Sequence, residues 1–283
     1  MNDGAGIGVS SVLGTGNAGN LQIQTDELTV NSGSFIAANS EGGGSGGRLD
    51  IQAQSVLIQG TSVDGSMPST LLTDIAPNSK GTGGELKIKT DTLQVLDGGQ
   101  IRAGTRGDQD AGSLDIQAKV VTIKGISEDN IPSTLAAQSF GRGASGTLKV
   151  QSDILTITDH AELSTTSLMG DGGDIRLNIQ EVLFLNQQGQ ISSTARLGGN
   201  AQTMNDGGNI DIKSGFIIAP PEANSDITAN AVNGLGGNIS LQTQKLLGIA
   251  LSPTLSPRND INASSDIGLD GTIVLQGLSL IHI

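Results

Sequence analysis

Three pairs of carboxylates stand close together along the chain: Asp108 with Asp110, Glu128 with Asp129, and Asp171 with Asp174. Two carboxyl groups held across a sugar linkage are the machinery of glycoside hydrolysis, one as acid and the other as base or nucleophile. Each pair falls among Gly, Ser and Asn, where Asp commonly serves local hydrogen bonding in turns. No Trp or Tyr is present to stack on a sugar ring. A β-helical enzyme acting on a polysaccharide such as a polyuronate is therefore the second reading of this chain, and a non-enzymatic one the first.

Other chemistry is sparse. Gly14-Thr15-Gly16-Asn17-Ala18-Gly19 spells a dinucleotide fingerprint, but no helical pattern follows it. Asp171-Gly172-Gly173-Asp174-Ile175 resembles a calcium-binding turn. Calcium nonapeptides follow one another directly, whereas these Gly-Gly turns lie about thirty residues apart. His160 follows Asp159 in a turn, and His282 is the only other histidine. With no cysteine, no metal site and no disulfide framework are expected, and no cofactor is implied. The sequons at Asn238 and Asn262 are explained by repeat composition. The formal charge of −13, with 15 Lys and Arg, argues against a nucleic-acid partner. No apolar run is long enough for a transmembrane helix. Met1-Asn2-Asp3-Gly4 lacks the regions of a signal peptide and falls mid-repeat, as expected of an internal piece of a longer secreted chain.

What positions these residues is a repeat. A glycine, one polar residue and an apolar-polar-apolar triplet recur nine times, from Gly19-Asn20-Leu21-Gln22-Ile23 to Gly271-Thr272-Ile273-Val274-Leu275. Such a period marks a solenoid. Between Gly84 and Gly112 three stretches alternate apolar with polar residues: Leu86-Lys87-Ile88-Lys89-Thr90, Leu93-Gln94-Val95 and Ile101-Arg102-Ala103. Turn residues separate them, and none shows a helical period. Three strands per coil, each with one apolar face, describe a parallel β-helix. The inward set is Leu86, Ile88, Leu93, Val95, Ile101 and Ala103, and Lys87, Lys89, Gln94 and Arg102 face outward. In the third strand a large inward residue is followed two positions later by a small one, as in Ile227-Thr228-Ala229, or by a hydroxyl, as in Leu163-Ser164-Thr165. This marks a narrow corner.

The triplets start at 21, 49, 86, 114, 148, 175, 210, 239 and 273, so short and long coils alternate. The extra residues are expected after the second strand, in 60–68, 125–132 and 219–224. They would recur along one edge every second coil, about 9–10 Å apart, on a rod of order 40 Å. The exposed inserts supply the candidate partner contacts: Asp64, Met67, Glu128, Asp129, Asn130, Glu222 and Asn224. After Gly173 the second strand faces inward through either Val182 and Phe184 or Leu183 and Leu185, since a one-residue slip exchanges the faces. Residues 1–277 read as one repeat domain. The apolar tail 278–283 does not conform and reads as a truncation artefact or non-native sequence.

The stretch Gly207-Gly208-Asn209-Ile210-Asp211-Ile212, continuing through Ile217-Ile218-Ala219-Pro220-Pro221 and Asp226-Ile227-Thr228-Ala229-Asn230-Ala231, carries a likeness. So do Gly236-Gly237-Asn238-Ile239 and Asp260-Ile261-Asn262-Ala263-Ser264-Ser265. These residues resemble the repeat region of filamentous-haemagglutinin-type exoproteins, the passengers of two-partner secretion, and among them the large cyanobacterial members. The resemblance implies a right-handed parallel β-helix of about nine three-stranded coils. It also implies export through an outer-membrane transporter, which would recognise an N-terminal secretion domain not found in this chain. The implied place is the outer cell surface, as an adhesive stalk contacting a surface glycan or protein. A surface-layer or matrix component without a specific ligand is a further alternative.

Overall fold

The computed structural model describes residues 4–12, 14–77, 79–196 and 204–277. Among them every regular element is a β-strand. The strands form a 13-stranded and a 10-stranded sheet, and all pairings between named strands are parallel. Each triplet of the recurring phrase starts a strand that pairs in register with the next: Asn20–Gln24, Arg48–Gln52, Glu85–Lys89 and Ser113–Gln117 open the series. It continues through the first halves of Thr147–Thr158, Asp174–Asn186, Ile210–Ile218 and Ile239–Leu247, and ends at Ile273–Gln276. The first apolar residue of every phrase, from Leu21 and Leu49 to Ile239 and Ile273, therefore lies in one column.

The second strands, beginning with Glu27–Asn31, Ser55–Gln59, Thr92–Leu96 and Val120–Lys124, form a ladder in the same sheet. From Thr147 onward the first and second strands run on without a break. Small hydroxyls mark the bend: Ser214 Oγ donates to the Phe216 carbonyl (2.8 Å), and Thr243 Oγ1 to the Gly215 carbonyl (3.1 Å). Third strands, such as Phe35–Ala37, Gln100–Arg102 and Gln190–Ser192, make the second sheet. The whole is consistent with a parallel β-helix.

The expected inward set is buried throughout: Leu86, Leu93, Val95, Ile101 and Ala103 are 0% exposed and Ile88 is 1%. Each such Leu or Ile contributes about 1.5–3 kcal/mol on leaving water. At the ambiguous register the structure turns Leu183 and Leu185 inward and leaves Val182 and Phe184 half-buried outside. The reason is one extra residue: the pairing shifts between Ile179 and Val182, so Leu183 sits under Leu155 and over Ile217.

The narrow corner explains the recurring glycine. Gly112 N–H donates to the Ala103 carbonyl of its own coil (3.0 Å), and Gly146 N–H to that of Ala137 (2.9 Å). The glycine carbonyl in turn accepts from the next coil, as Ser113 N–H does on Gly84 (3.0 Å). A Cβ on Gly112 would land on the Gly84 carbonyl oxygen, and one on Gly146 on the Gly112 carbonyl oxygen. Only a residue without a side chain closes the coil here.

Two of the three inserts lengthen a long coil after the second strand, as expected, and the third does not. Val56 to Leu71 and Val121 to Leu135 are lengthened between second and third strand, compared with Leu93 to Ile101. The long coil that starts at Gly173 is lengthened instead between third strand and glycine, from Ile191 to Gly208, partly outside the described residues. Segment 219–224 belongs to a short coil and adds only two residues between Ile217 and Ile227 relative to Leu93 and Ile101. Distances between phrases sum over every corner, so equal lengthening arises at different ones. The tail 278–283, with His282, lies outside the described residues.

Candidate functional site

Inserts 61–68 and 126–132 are small hairpins, closed by antiparallel bridges Thr61–Pro68 and Ile126–Pro132. Their bases share one device. The buried Ser69 hydroxyl donates to the Gln59 carbonyl (2.8 Å) and accepts the Gly33 N–H of the preceding coil (3.1 Å). Ser133 repeats this with Lys124 (2.7 Å) and Gly98 (3.0 Å). Gly98 lies between the inserts: a Cβ on it would come within 3.3 Å of Thr61 Cγ2 and 2.9 Å of Ser127 Cβ. Over this short turn the hairpins meet, with the Asp129 carboxylate against Gly65.

Of the predicted contacts, Asp64 is exposed and caps its own loop. Its Oδ1 accepts from the Ser62 hydroxyl (2.6 Å), the Ser66 hydroxyl (2.8 Å) and Ser66 N–H (3.1 Å). These bonds, led by the Ser62 hydroxyl, lower its pKa to about 2. Met67 is 47% exposed, and its neighbour Val63, not singled out by the sequence, 86%. Glu128, Asp129 and Asn130 are exposed, Asn130 in the left-handed region (φ 60°). Glu222 is exposed, also left-handed (φ 67°). Asn224 is half-buried, and its amide nitrogen, suitably oriented, reaches the Ser256 and Arg258 carbonyls (3.1 and 3.2 Å). The structure thus joins 61–68 with 126–132, and places 222–224 beside a segment that sequence reasoning passed over.

That segment is 248–259, which carries the short strand Ala250–Leu251 beside Asp260–Asn262. Buried Asn259 holds it. Its Nδ2 donates to the Pro220 and Gly248 carbonyls (both 2.7 Å), and its Oδ1 accepts Ser225 N–H (2.8 Å). Next to it Asp226 accepts Asp260 N–H (2.9 Å). Burial raises the Asp226 pKa, and the nearby Asp260 carboxylate adds to the rise. Burial likewise raises that of Glu162, with Arg196 opposing. The length of the coil from Ile239 to Ile273 was the available signal for this segment.

Of the carboxylates weighed for hydrolysis, Asp110, Asp171 and Asp174 tie coils together. Asp110 accepts Ala144 N–H from the next coil, and Asp171 accepts Asp206 N–H (2.9 Å each). Asp174 pairs with Arg176 (2.9 Å) and accepts the Asn209 amide (3.1 Å). His160 is an exposed turn residue (φ 65°).

A second surface emerges only from the register. Two of the three outward columns of the first strands make this surface, beside the one that runs Asn20, Arg48, Glu85, Ser113, Thr147, Asp174. One runs Asp50, Lys87, Asp115, Lys149, Arg176, Asp211. The other runs Gln24, Gln52, Lys89, Gln117, Gln151, Asn178, Lys213, Gln242, and holds only amide and ammonium groups. Two clefts, of about 300 and 380 Å³, lie along these columns and share Asp115 and Gln117. Arg48, Lys87, Lys89, Lys149, Arg176 and Lys213 line them, against Asp50, Asp115 and Asp211. Glu85, paired with Arg48 and Lys87, and Asp174, paired with Arg176, stand beside them, so six cations against five anions leave a local charge of +1, on a chain of −13. Arg48 bridges Asp50 (2.6 Å) and Glu85 (3.0 Å), which raises its pKa, the Asp50 hydrogen bond contributing most. Lys87 pairs with Glu85 (2.7 Å). Lys89, Lys149 and Lys213 are exposed and make no ion pair among the described residues.

Comparison with protein-family models, with curated proteins and with solved structures finds no match to this chain. Among the described residues no helix is long and apolar enough to cross a membrane.

Proposed function

We propose that this chain is a structural and adhesive stalk: a right-handed parallel β-helix of about nine three-stranded coils, with residues 1–277 as one repeat domain. It belongs, in this reading, to a secreted exoprotein of the filamentous-haemagglutinin type, exported by a two-partner transporter and held at the outer cell surface. Its role is geometric and non-enzymatic. The observation that carries the reading is the in-register stack, which keeps the same columns from Leu21 to Ile273 over a largely aliphatic interior. Such a stack is rigid along its axis and holds its hairpins in a fixed array, as weak multivalent contact requires. The coil-to-coil hydrogen bonds of Asp110 and Asp171 support a scaffold role for the turn carboxylates.

The contacts are assigned to the joined hairpins, through Asp64, Met67 and Glu128 to Asn130, and to Glu222 beside Asn224. The test replaces 61–68 and 126–132 with short turns of the same sequence as 97–99 and measures adhesion of the purified chain to immobilised neutral glycans and intact bacterial cells. Adhesion should fall while the β-type circular dichroism persists. Undiminished adhesion would remove the hairpins from the contact. Absence of any adhesion by the unaltered chain would favour a matrix component.

A further inference from the structure

We infer that the trough over the first strands binds an extended anionic glycan carrying one carboxylate per disaccharide, laid parallel to the coil axis. This site lies on a different face from the hairpins, so its failure and theirs are separate results. The trough is a local inversion of sign, +1 within a chain of −13 even with the paired Glu85 and Asp174 counted, and its free cations are Lys89, Lys149 and Lys213, so an anionic polymer meets attraction there and repulsion over most of the remaining surface.

The spacing of the cations selects the polymer. Lys89, Lys149 and Lys213, the three without ion pairs, stand on alternate strands of the ladder. Along the coil axis two ladder steps separate each from the next, about 9.6 Å at about 4.8 Å per step, with Lys89 and Lys213 in one column and Lys149 in the neighbouring one, two residues along its strand. An extended disaccharide has a comparable length, so one carboxylate per disaccharide meets one ammonium at each repeat. Between them stand Gln117, Gln151 and Asn178, whose amides both donate and accept and so suit sugar hydroxyls and acetamido groups. Asp115 stands between Lys87 and Lys149 in the neighbouring column, where a carboxylate on every sugar would be repelled. The trough therefore discriminates against densely charged polymers as well as neutral ones.

The test uses the full chain and three immobilised probes: hyaluronan, with one carboxylate per disaccharide; polygalacturonate, with one per sugar; and neutral dextran. Hyaluronan should be retained most strongly, and its binding should collapse near 1 M salt, where the screening length falls to about 3 Å. The triple variant Lys89→Gln, Lys149→Gln, Lys213→Gln should bind hyaluronan about tenfold more weakly, three surface pairs acting together. Asp115→Asn should bind it about two- to fivefold more tightly, a gain that misfolding does not produce. The inference is overturned if hyaluronan is not retained, if dextran or polygalacturonate binds as well, or if the triple variant binds undiminished.

Discussion

Gly146→Ala should be among the most damaging single-methyl additions in this chain. The new Cβ would fall on the Gly112 carbonyl oxygen and within 3.2 Å of the Ala137 Cβ. Relief requires the coil to move away from its neighbour, against two backbone bonds: Gly146 N–H to Ala137 (2.9 Å) and Asp174 N–H to the Gly146 carbonyl (3.2 Å). Overpacking a tight site costs about 1–3 kcal/mol. Two weakened backbone bonds add about 1 kcal/mol each. The sum is about 3–5 kcal/mol, concentrated between coils that exchange stability only with their neighbours. Gly16→Ala is the control. Nothing lies within 4 Å of the added Cβ, and Gly16 is not among the glycines of positive φ. It should be neutral, or stabilising by up to about 1 kcal/mol through the unfolded chain. Urea titration followed by circular dichroism gives both values, and amide exchange localises the Gly146→Ala loss to its own and adjacent coils. A cost below about 1 kcal/mol for Gly146→Ala, or equal costs at the two sites, would refute steric closure as the reason for the recurring glycine.

Asn259→Ala should cost about 2–4 kcal/mol, because it orphans the buried Ser225 N–H and removes the bonds to the half-buried Pro220 and the exposed Gly248 carbonyls together. Proteolysis should then open both 219–226 and 248–259; cleavage confined to one would contradict a shared anchor. Asp226→Asn should raise the thermal midpoint at pH 7. Burial raises the folded pKa of Asp226, so its contribution is most favourable below the ordinary carboxylate value and declines as pH rises through the folded one. The advantage of the variant should therefore vanish below about pH 4, near the ordinary carboxylate range. An advantage that persists in acid would assign the effect to packing.

Much of the coil was legible because its alternation is strict. Leu86, Ile88, Leu93 and Val95 alternate with polar residues, so strand positions and inward faces followed directly. The run Val182-Leu183-Phe184-Leu185 has no polar residue to set its phase, and the deciding bulge lies upstream, between Ile179 and Val182. Inserts 60–68 and 125–132 lie where the sequence put them, but 219–224 does not account for a long coil, because coil length does not say which corner grew. Asn259 was invisible for a related reason: one Asn among many, it matters only through backbone groups brought to it by the preceding coil. Likewise Lys89, Lys149 and Lys213 are scattered in sequence, and only the ladder puts them on alternate strands of one face.

The central claim, a continuous in-register parallel stack, is tested most directly by one distance. Gln52 and Gln242 stand in a single column linked through Lys89, Gln117, Gln151, Asn178 and Lys213. The chain has no cysteine, so Gln52→Cys with Gln242→Cys places two spin labels and no others. Six ladder steps predict a narrow distribution near 29 Å, at about 4.8 Å per step. A broad distribution, or a narrow one displaced by more than about two steps, roughly 10 Å, would contradict the stack.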